Sequence, residues 1–166
     1  MKELTKAKYW IFDLDNTLYS GESKVFEQVN KKMSKYISKK LNISIIEAKK
    51  IQKSYFYKFN TTLNGMIKNH QIDANEFLDF VHDVDIDFLK EDRKLNNELK
   101  KLNGKKIIFT NGSRKHAQNV TKRLGIDRCF DAIFDIVDSE FIPKPSMEPY
   151  KKLINKHKID PNLCVF

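Results

Sequence analysis

Four apolar residues, Tyr9-Trp10-Ile11-Phe12, run straight into Asp13-Leu14-Asp15-Asn16-Thr17-Leu18. So short an apolar run, bounded by turn-forming polar residues, reads as a buried strand. Two carboxylates therefore fall where the strand runs out. Burying an unpartnered charge costs several kcal/mol, so such groups are paired, bind metal or do chemistry. Strand alternation sends Asp13 and Asp15 to the same side. One could attack a phosphorus while the other handles a proton, with a cation between substrate and protein. An acidic strand end that merely caps the next turn would carry the same letters, because D-x-D is short.

The pattern recurs downstream. Lys105-Lys106-Ile107-Ile108-Phe109 is a second strand-like run, ending in Thr110-Asn111-Gly112-Ser113. A third segment, Ala132 to Val137, leads to Lys144-Pro145. Between the first two strands the chain reads as helical. From Ser23 to Leu41, apolar residues fall at Val25, Phe26, Val29, Met33, Tyr36, Ile37 and Leu41, a helical period. Ser44-Ile45-Ile46-Glu47 matches a capping box, starting a stripe of Ala48, Ile51, Tyr55, Phe56 and Phe59. Asp73 starts another helix that feeds Phe77, Phe80 and Val81. Leu95, Leu99 and Leu102 give a further helix, with Gly104 expected as its C-cap. Ser113 to Leu124 and Ser146 to His157 complete the helices, with Pro149 tolerable only in a first turn. Leu163 to Phe166 begins a last strand.

Strands alternating with helices imply an α/β fold with a doubly wound parallel sheet. The expected organisation is a core domain from residues 1–18 and 91–166, with a helical cap from residues 19–90. The chain's 166 residues allow one ordinary core with a small satellite. No apolar stretch approaches the roughly 20 residues needed to span a membrane. The N-terminus, Met1-Lys2-Glu3-Leu4-Thr5-Lys6, has no apolar signal region behind it, so a cytoplasmic protein with no membrane partner is expected. Cys129 and Cys164 form no metal pattern and no disulfide framework, and read as buried thiols. The net charge of +9 raises nucleic acid as a partner. The excess is mostly Lys, spread along helices and mixed with acids, so no nucleic-acid partner is expected. The positive field suits small phosphate anions.

A strand ending in D-x-D-x-T, another ending in T-N-G, and a downstream K-P, in that order, resemble the haloacid dehalogenase superfamily. The resemblance runs over essentially the whole chain. It implies a Rossmann-like core with an inserted C1-type cap, and phosphatase activity, since dehalogenases proper usually lack the second aspartate. It assigns Asp13 as nucleophile and Asp15 as general acid, then general base. Thr110 would donate its hydroxyl to a phosphate oxygen, and the Asn111 and Gly112 N–H groups would complete the anion site. Lys144 would neutralise charge between nucleophile and phosphoryl group. Each motif has a plainer reading: Thr110-Asn111-Gly112 as a turn, and Lys144-Pro145 as a solvated loop.

The resemblance also implies Mg2+, with Asp13 and the backbone carbonyl of Asp15 as ligands. The family normally adds acidic ligands after a fourth strand, about where Phe166 stands. The expectation is a sequence truncated before that motif, with weakened metal binding and an exposed edge at Leu163 to Phe166. The oligomeric state expected is a monomer or weak homodimer.

For the substrate, Tyr57-Lys58-Phe59-Asn60-Thr61-Thr62-Leu63-Asn64-Gly65-Met66 resembles an element of the pyrimidine 5′-nucleotidase branch, with Asn60 where that branch often has Gly. The stretches Asp13 to Tyr19 and Thr110 to Ala117 look like the same branch. Thr61 and Thr62 would hydrogen-bond a base or sugar, or else cap the next helix. The implied partner is a small phosphate ester, a nucleotide such as UMP or CMP. A phosphatase for another small metabolite, or a phosphate-binding domain without turnover, remains the alternative. His82 with Asp83, Asp85 and Asp87 reads as a solvated face, and His116 as a surface helix residue.

Overall fold

The structure, a computed structural model, describes residues 6–166; the stretch from Met1 to Thr5 lies outside the described residues. Its sheet has four strands: β1 (Tyr9–Phe12), β2 (Lys105–Phe109), β3 (Ala132–Phe134) and β4 (Cys164–Val165). All pairs are parallel, in the order β3-β2-β1-β4. Ile11 aligns with Ile107, and Ile108 with Ile133.

Side-chain alternation along β2 builds a core on each face of the sheet. Ile108 points one way, into a cluster with Leu99, Ala117, Val120 and Leu124. These come from α5 (Arg93–Lys101), α6 (Arg114–Arg123) and the residue capping α6. Ile107 and Phe109 point the other way, onto Ile11, Phe134 and Leu153, the last from α7 (Met147–His157). Helices on both faces of a parallel sheet make the fold doubly wound α/β.

Four helices intervene between β1 and α5: α1 (Val25–Leu41), α2 (Ile45–Phe59), α3 (Thr62–His70) and α4 (Ala74–His82). They bury a separate cluster that includes Val29, Tyr36, Ile37, Met66, Phe77 and Val81. Local chemistry fixes their starts. Ser44 and Glu47 form the capping box at α2. Asp73 accepts from the Asn75 and Glu76 N–H groups at α4. Among the described residues no helix is long and apolar enough to cross a membrane.

The structure corrects several local expectations. Gly104 is not a C-cap: Leu102 ends α5, and Gly104 takes φ +99° in the turn into β2. A Cβ there would lie 2.5 Å from the Lys8 carbonyl oxygen, so only glycine allows this approach. β3 stops at Phe134, because Asp135 turns away to bond the backbone of Arg114. The last strand is shorter than read, since Pro161–Leu163 forms a 3-10 turn capped by Asp160. Phe26 and Phe56 follow the helical stripes in sequence, yet face a cavity instead of the core. Cys129 is buried and Cys164 half-buried, both as free thiols.

Candidate active site

In the order β3-β2-β1-β4, the chain moves outward from β1 to β3 and then returns to the far side of β1. Ligands of such sheets bind beyond the carboxyl ends of the strands at this reversal. Asp13 is the first residue after β1. The turn beyond it is anchored by Leu14, which is fully buried and whose carbonyl accepts from the Thr17 and Leu18 N–H groups. Asn16 takes a left-handed φ of 60°, a conformation that Asn tolerates. The turn brings Asp13 and Asp15 to one cavity and folds Tyr19 back over them.

Asp13 Oδ1 accepts from Lys144 Nζ at 2.7 Å, and Oδ2 from the Thr17 hydroxyl at 2.9 Å. Lys144 Nζ also donates to the Phe109 carbonyl at 2.6 Å. Asn111 fixes the lysine's backbone from both sides. Its Oδ1 accepts from Lys144 N–H at 2.8 Å, and its Nδ2 donates to the Lys144 carbonyl at 3.2 Å. The ammonium is thus aimed by backbone contacts as well as by charge.

Thr110 is buried, and its Oγ1 accepts from the Gly112 N–H at 2.9 Å. A hydroxyl that accepts in this way keeps its own proton to donate. The Gly112 N–H is therefore turned to Thr110. Gly112 lies against both groups: a Cβ on it would sit 3.3 Å from Thr110 Oγ1 and at an ordinary contact distance of 3.5 Å from Asp15 Oδ2. Ser113 caps α6, accepting from the His116 N–H at 3.3 Å.

Three residues that the sequence reading set aside or passed over surround Asp15. His116 is 3% exposed, not a surface residue, and its Nε2 lies 2.7 Å from Asp15 Oδ1. The Tyr19 hydroxyl donates to the same oxygen at 2.5 Å. His82, at the end of α4, stacks on the His116 ring with centroids 4.4 Å apart and planes 14° from parallel. Its Nδ1 is 3.0 Å from the Ser113 hydroxyl. His82 thus points inward, whereas the acids beyond it do not. Asp83, Asp85 and Asp87 are exposed and alternate with half-buried Val84 and Ile86.

Electrostatics follow this packing. Burial pushes the Asp15 carboxyl up, but the hydrogen bond and charge of His116, with the Tyr19 hydroxyl, outweigh it. The carboxyl is held below the usual carboxylate range. Burial and the adjacent Asp15 charge push the Tyr19 hydroxyl well above its ordinary value, so it stays a donor. Burial, reinforced by the charge of His116, pushes His82 down to about 3, so its ring is neutral near pH 7.

The cavity over these groups holds about 670 Å³, a size typical of small-molecule sites. Its floor is Asp13, Asp15 and Thr110 to Gly112; its walls come from α1, α2, α3 and α4. Thr61 and Thr62 line it. The Thr61 hydroxyl caps α3 by accepting from Asn64 N–H at 3.1 Å, and the Thr62 hydroxyl donates to the Gln52 carbonyl at 3.3 Å.

Among the described residues, no group of three or more His, Cys, Asp and Glu side chains is placed to hold a metal. The oxygens at the strand end, the half-exposed Asp13 carboxylate and the Asp15 carbonyl, are hard donors. They fit a small divalent cation that keeps most of its water.

A parallel α/β sheet with a paired-carboxylate strand end, a lysine on one carboxylate and a helical roof defines a hydrolase-type site. The chain belongs to the haloacid dehalogenase-like hydrolase family, whose profile matches residues 8–166. It is 35% identical over 154 residues to phosphate metabolism protein 8 of Saccharomyces cerevisiae, covering 83% of this chain and 48% of that protein. The chain therefore spans about half the length of that relative. Solved structures share the fold. The L-2-haloacid dehalogenase of Xanthobacter autotrophicus has a TM-score of 0.52 at 16% identity, covering 95% of this chain and 68% of that one. A haloacid dehalogenase-type hydrolase of Bacillus subtilis, bound to magnesium, has a TM-score of 0.53 at 17% identity, covering 95% and 76%.

Proposed function

We propose that this chain is a Mg2+-dependent phosphomonoester hydrolase that works through an aspartyl-phosphate, with a pyrimidine 5′-nucleotide such as UMP or CMP as substrate. The observation that carries the reading is the pairing of Asp13 with Lys144 at 2.7 Å beside Asp15, on the floor of one cavity. Lys144 orients one oxygen of Asp13 and offsets charge as the phosphoryl group approaches. An Asp13 oxygen attacks phosphorus, and the bond from phosphorus to the ester oxygen breaks. Asp15, ionised at rest, takes up a proton as the negatively charged ester settles beside it and passes that proton to the departing oxygen, so an alcohol leaves. Asp15 then takes a proton from water as that water's oxygen attacks phosphorus. This releases inorganic phosphate and regenerates Asp13. The Thr110 hydroxyl donates to a phosphate oxygen. Mg2+, when bound by the Asp13 carboxylate and the Asp15 carbonyl, would neutralise part of the phosphate charge.

The helices of residues 19–90 act as the cap that selects the ester, over a core of residues 1–18 and 91–166. The cavity supports a nucleotide-sized ligand. The aromatic rings of Phe56 and Tyr57 stand exposed at its wall, and the Gln52 and Asn30 amides line it. The yeast relative's name places that protein in phosphate metabolism, in keeping with this chemistry. The test is phosphate release from UMP, CMP and a panel of small esters, with and without Mg2+. Release that needs Mg2+ and favours UMP and CMP is the expected result. Release from other esters alone overturns the substrate, and no release from any ester overturns the activity.

A further inference from the structure

Asp15 lines the cavity; its Oδ1 carries two hydrogen bonds, from Tyr19 and from His116, whereas its Oδ2 lies beside Gly112 and takes neither. Tyr19 lies where the chain leaves the sheet for the inserted helices, and His82 lies where it leaves α4 to return. Both crossings therefore converge on one carboxylate. Resting on the phosphatase reading above, we propose that Tyr19 and His116 are positioning residues that clamp Asp15 Oδ1, leaving Oδ2 as the atom that passes the proton, and that the stacked His82 ties the helical roof to that clamp.

Geometry requires the division of labour. A carboxylate oxygen with two donors on it has little capacity left for a third partner. The free oxygen is then the one that meets the leaving group, with its carboxyl plane fixed by two contacts. A fixed plane matters because proton transfer depends on a hydrogen-bond approach of about 2.6–3.2 Å. His116 is itself held from the far side, since its ring lies flat against His82 and its backbone N–H bonds the Ser113 hydroxyl. His82 is held through the same hydroxyl. Ser113 follows directly on the Thr110-Asn111-Gly112 turn, so the clamp and the phosphate-binding turn share one anchor.

The test compares an ester whose leaving oxygen needs a proton, UMP, with one that leaves without it, p-nitrophenyl phosphate. Tyr19→Phe removes only the donor, and His116→Asn withdraws the ring nitrogen. Because the later water step is common to both esters, the readout is the first phosphoryl transfer, seen as acid-quenched label. Each variant is expected to slow it about 10-fold or more from UMP, and less than about 3-fold from p-nitrophenyl phosphate. His116→Gln, whose amide nitrogen reaches the place of Nε2, recovers most of the loss. His82→Ala shows the same selective loss in weaker form, and His82→Phe, which keeps a stacking face, restores it. Equal losses on both esters, or no rescue by the Gln and Phe variants, overturn the proposal. An activity-free measurement stands beside these. In ring 15N spectra, His116 must carry its proton on Nε2, and Asp15→Ala must shift its signals while leaving those of His70 and His157 in place. A bare Nε2, or unshifted signals, overturns the clamp. Absence of turnover on either ester overturns the hydrolase reading instead, and the spectra still decide the clamp.

Discussion

Asp13 and Asp15 are chemically alike, and the different work proposed for them follows from their different neighbours. Asp13 meets an ammonium and a hydroxyl; Asp15 meets an imidazole and a phenol. Asp13→Asn is therefore expected to abolish covalent labelling by phosphate esters in acid-quenched samples, and to lower turnover at least about 10²-fold. Asp15→Asn should still become labelled from p-nitrophenyl phosphate, and the label should persist because water is no longer deprotonated. Wild-type turnover by Asp13→Asn would refute these roles. His82 gives a second prediction, in pH. Its folded value is lowered from 6.5 to about 3. The unfolded chain takes up the proton first, so stability falls as pH drops from about 6.5 towards 3. Asp15 acts in a lower window: its stabilisation is present above 3.8 and lost as pH falls through its depressed folded value. Between about pH 6.5 and about pH 5, His82 contributes a loss of up to about 2 kcal/mol. Urea midpoints of wild type should fall more steeply over that interval than those of His82→Phe; parallel curves would mean that His82 charges within the fold. The placement of Asp13 and Asp15 just past a strand end was legible in sequence because their spacing is local. The histidines were not, because rotation about α6 and contact with α4 are tertiary. A signal did exist for His116: it shares a buried face with Ala117, Val120 and Thr121.

At the scale of elements, the helix starts were legible because caps are side-chain chemistry written within four residues. Ser44, Asp73 and Ser113 each cap the helix expected of them. The ends were less legible, because they depend on what the chain meets next. Gly104 looked like a helix stop and instead serves a close approach to Lys8. Gly65 presents the same physics inside a helix. It sits buried in α3, and a Cβ there would lie 2.5 Å from both Cβ and Cγ of Tyr55 on α2. Alanine gains about 1 kcal/mol of helix propensity over glycine. The clash falls on the root of Tyr55, not on its flexible end, so the helices must separate, at about 1–3 kcal/mol. Gly65→Ala should therefore lower the urea midpoint despite better propensity. In Gly65→Ala/Tyr55→Gly, which removes the Tyr55 Cβ as well as its ring, the cost should largely vanish, a coupling readable in a double-mutant cycle. Additive losses would place the strain elsewhere.

Across the whole molecule, two hydrophobic clusters flank the sheet and a third fills the helical insertion. The cavity lies where the third meets the sheet ends, so its floor comes from the strand ends and its walls from the inserted helices. A ligand that touches both must stabilise the folded chain as a whole. Beryllium fluoride with Mg2+ mimics a phosphoryl group on an aspartate and needs no turnover to bind. A ligand present at 100 times its dissociation constant adds about 2.7 kcal/mol. For a chain of this size each kcal/mol moves Tm by roughly 2–4 °C. Thermal unfolding with beryllium fluoride and Mg2+ should thus rise by roughly 5–10 °C. Mg2+ alone should move it far less, because one carboxylate and one carbonyl hold a small cation weakly. Asp13→Asn should lose the shift, since the mimic has no carboxylate to join. Lys144→Ala should reduce it, since the ammonium 2.7 Å from Asp13 would no longer offset the added charge. An undiminished shift in Asp13→Asn would place the anion somewhere other than on this carboxylate.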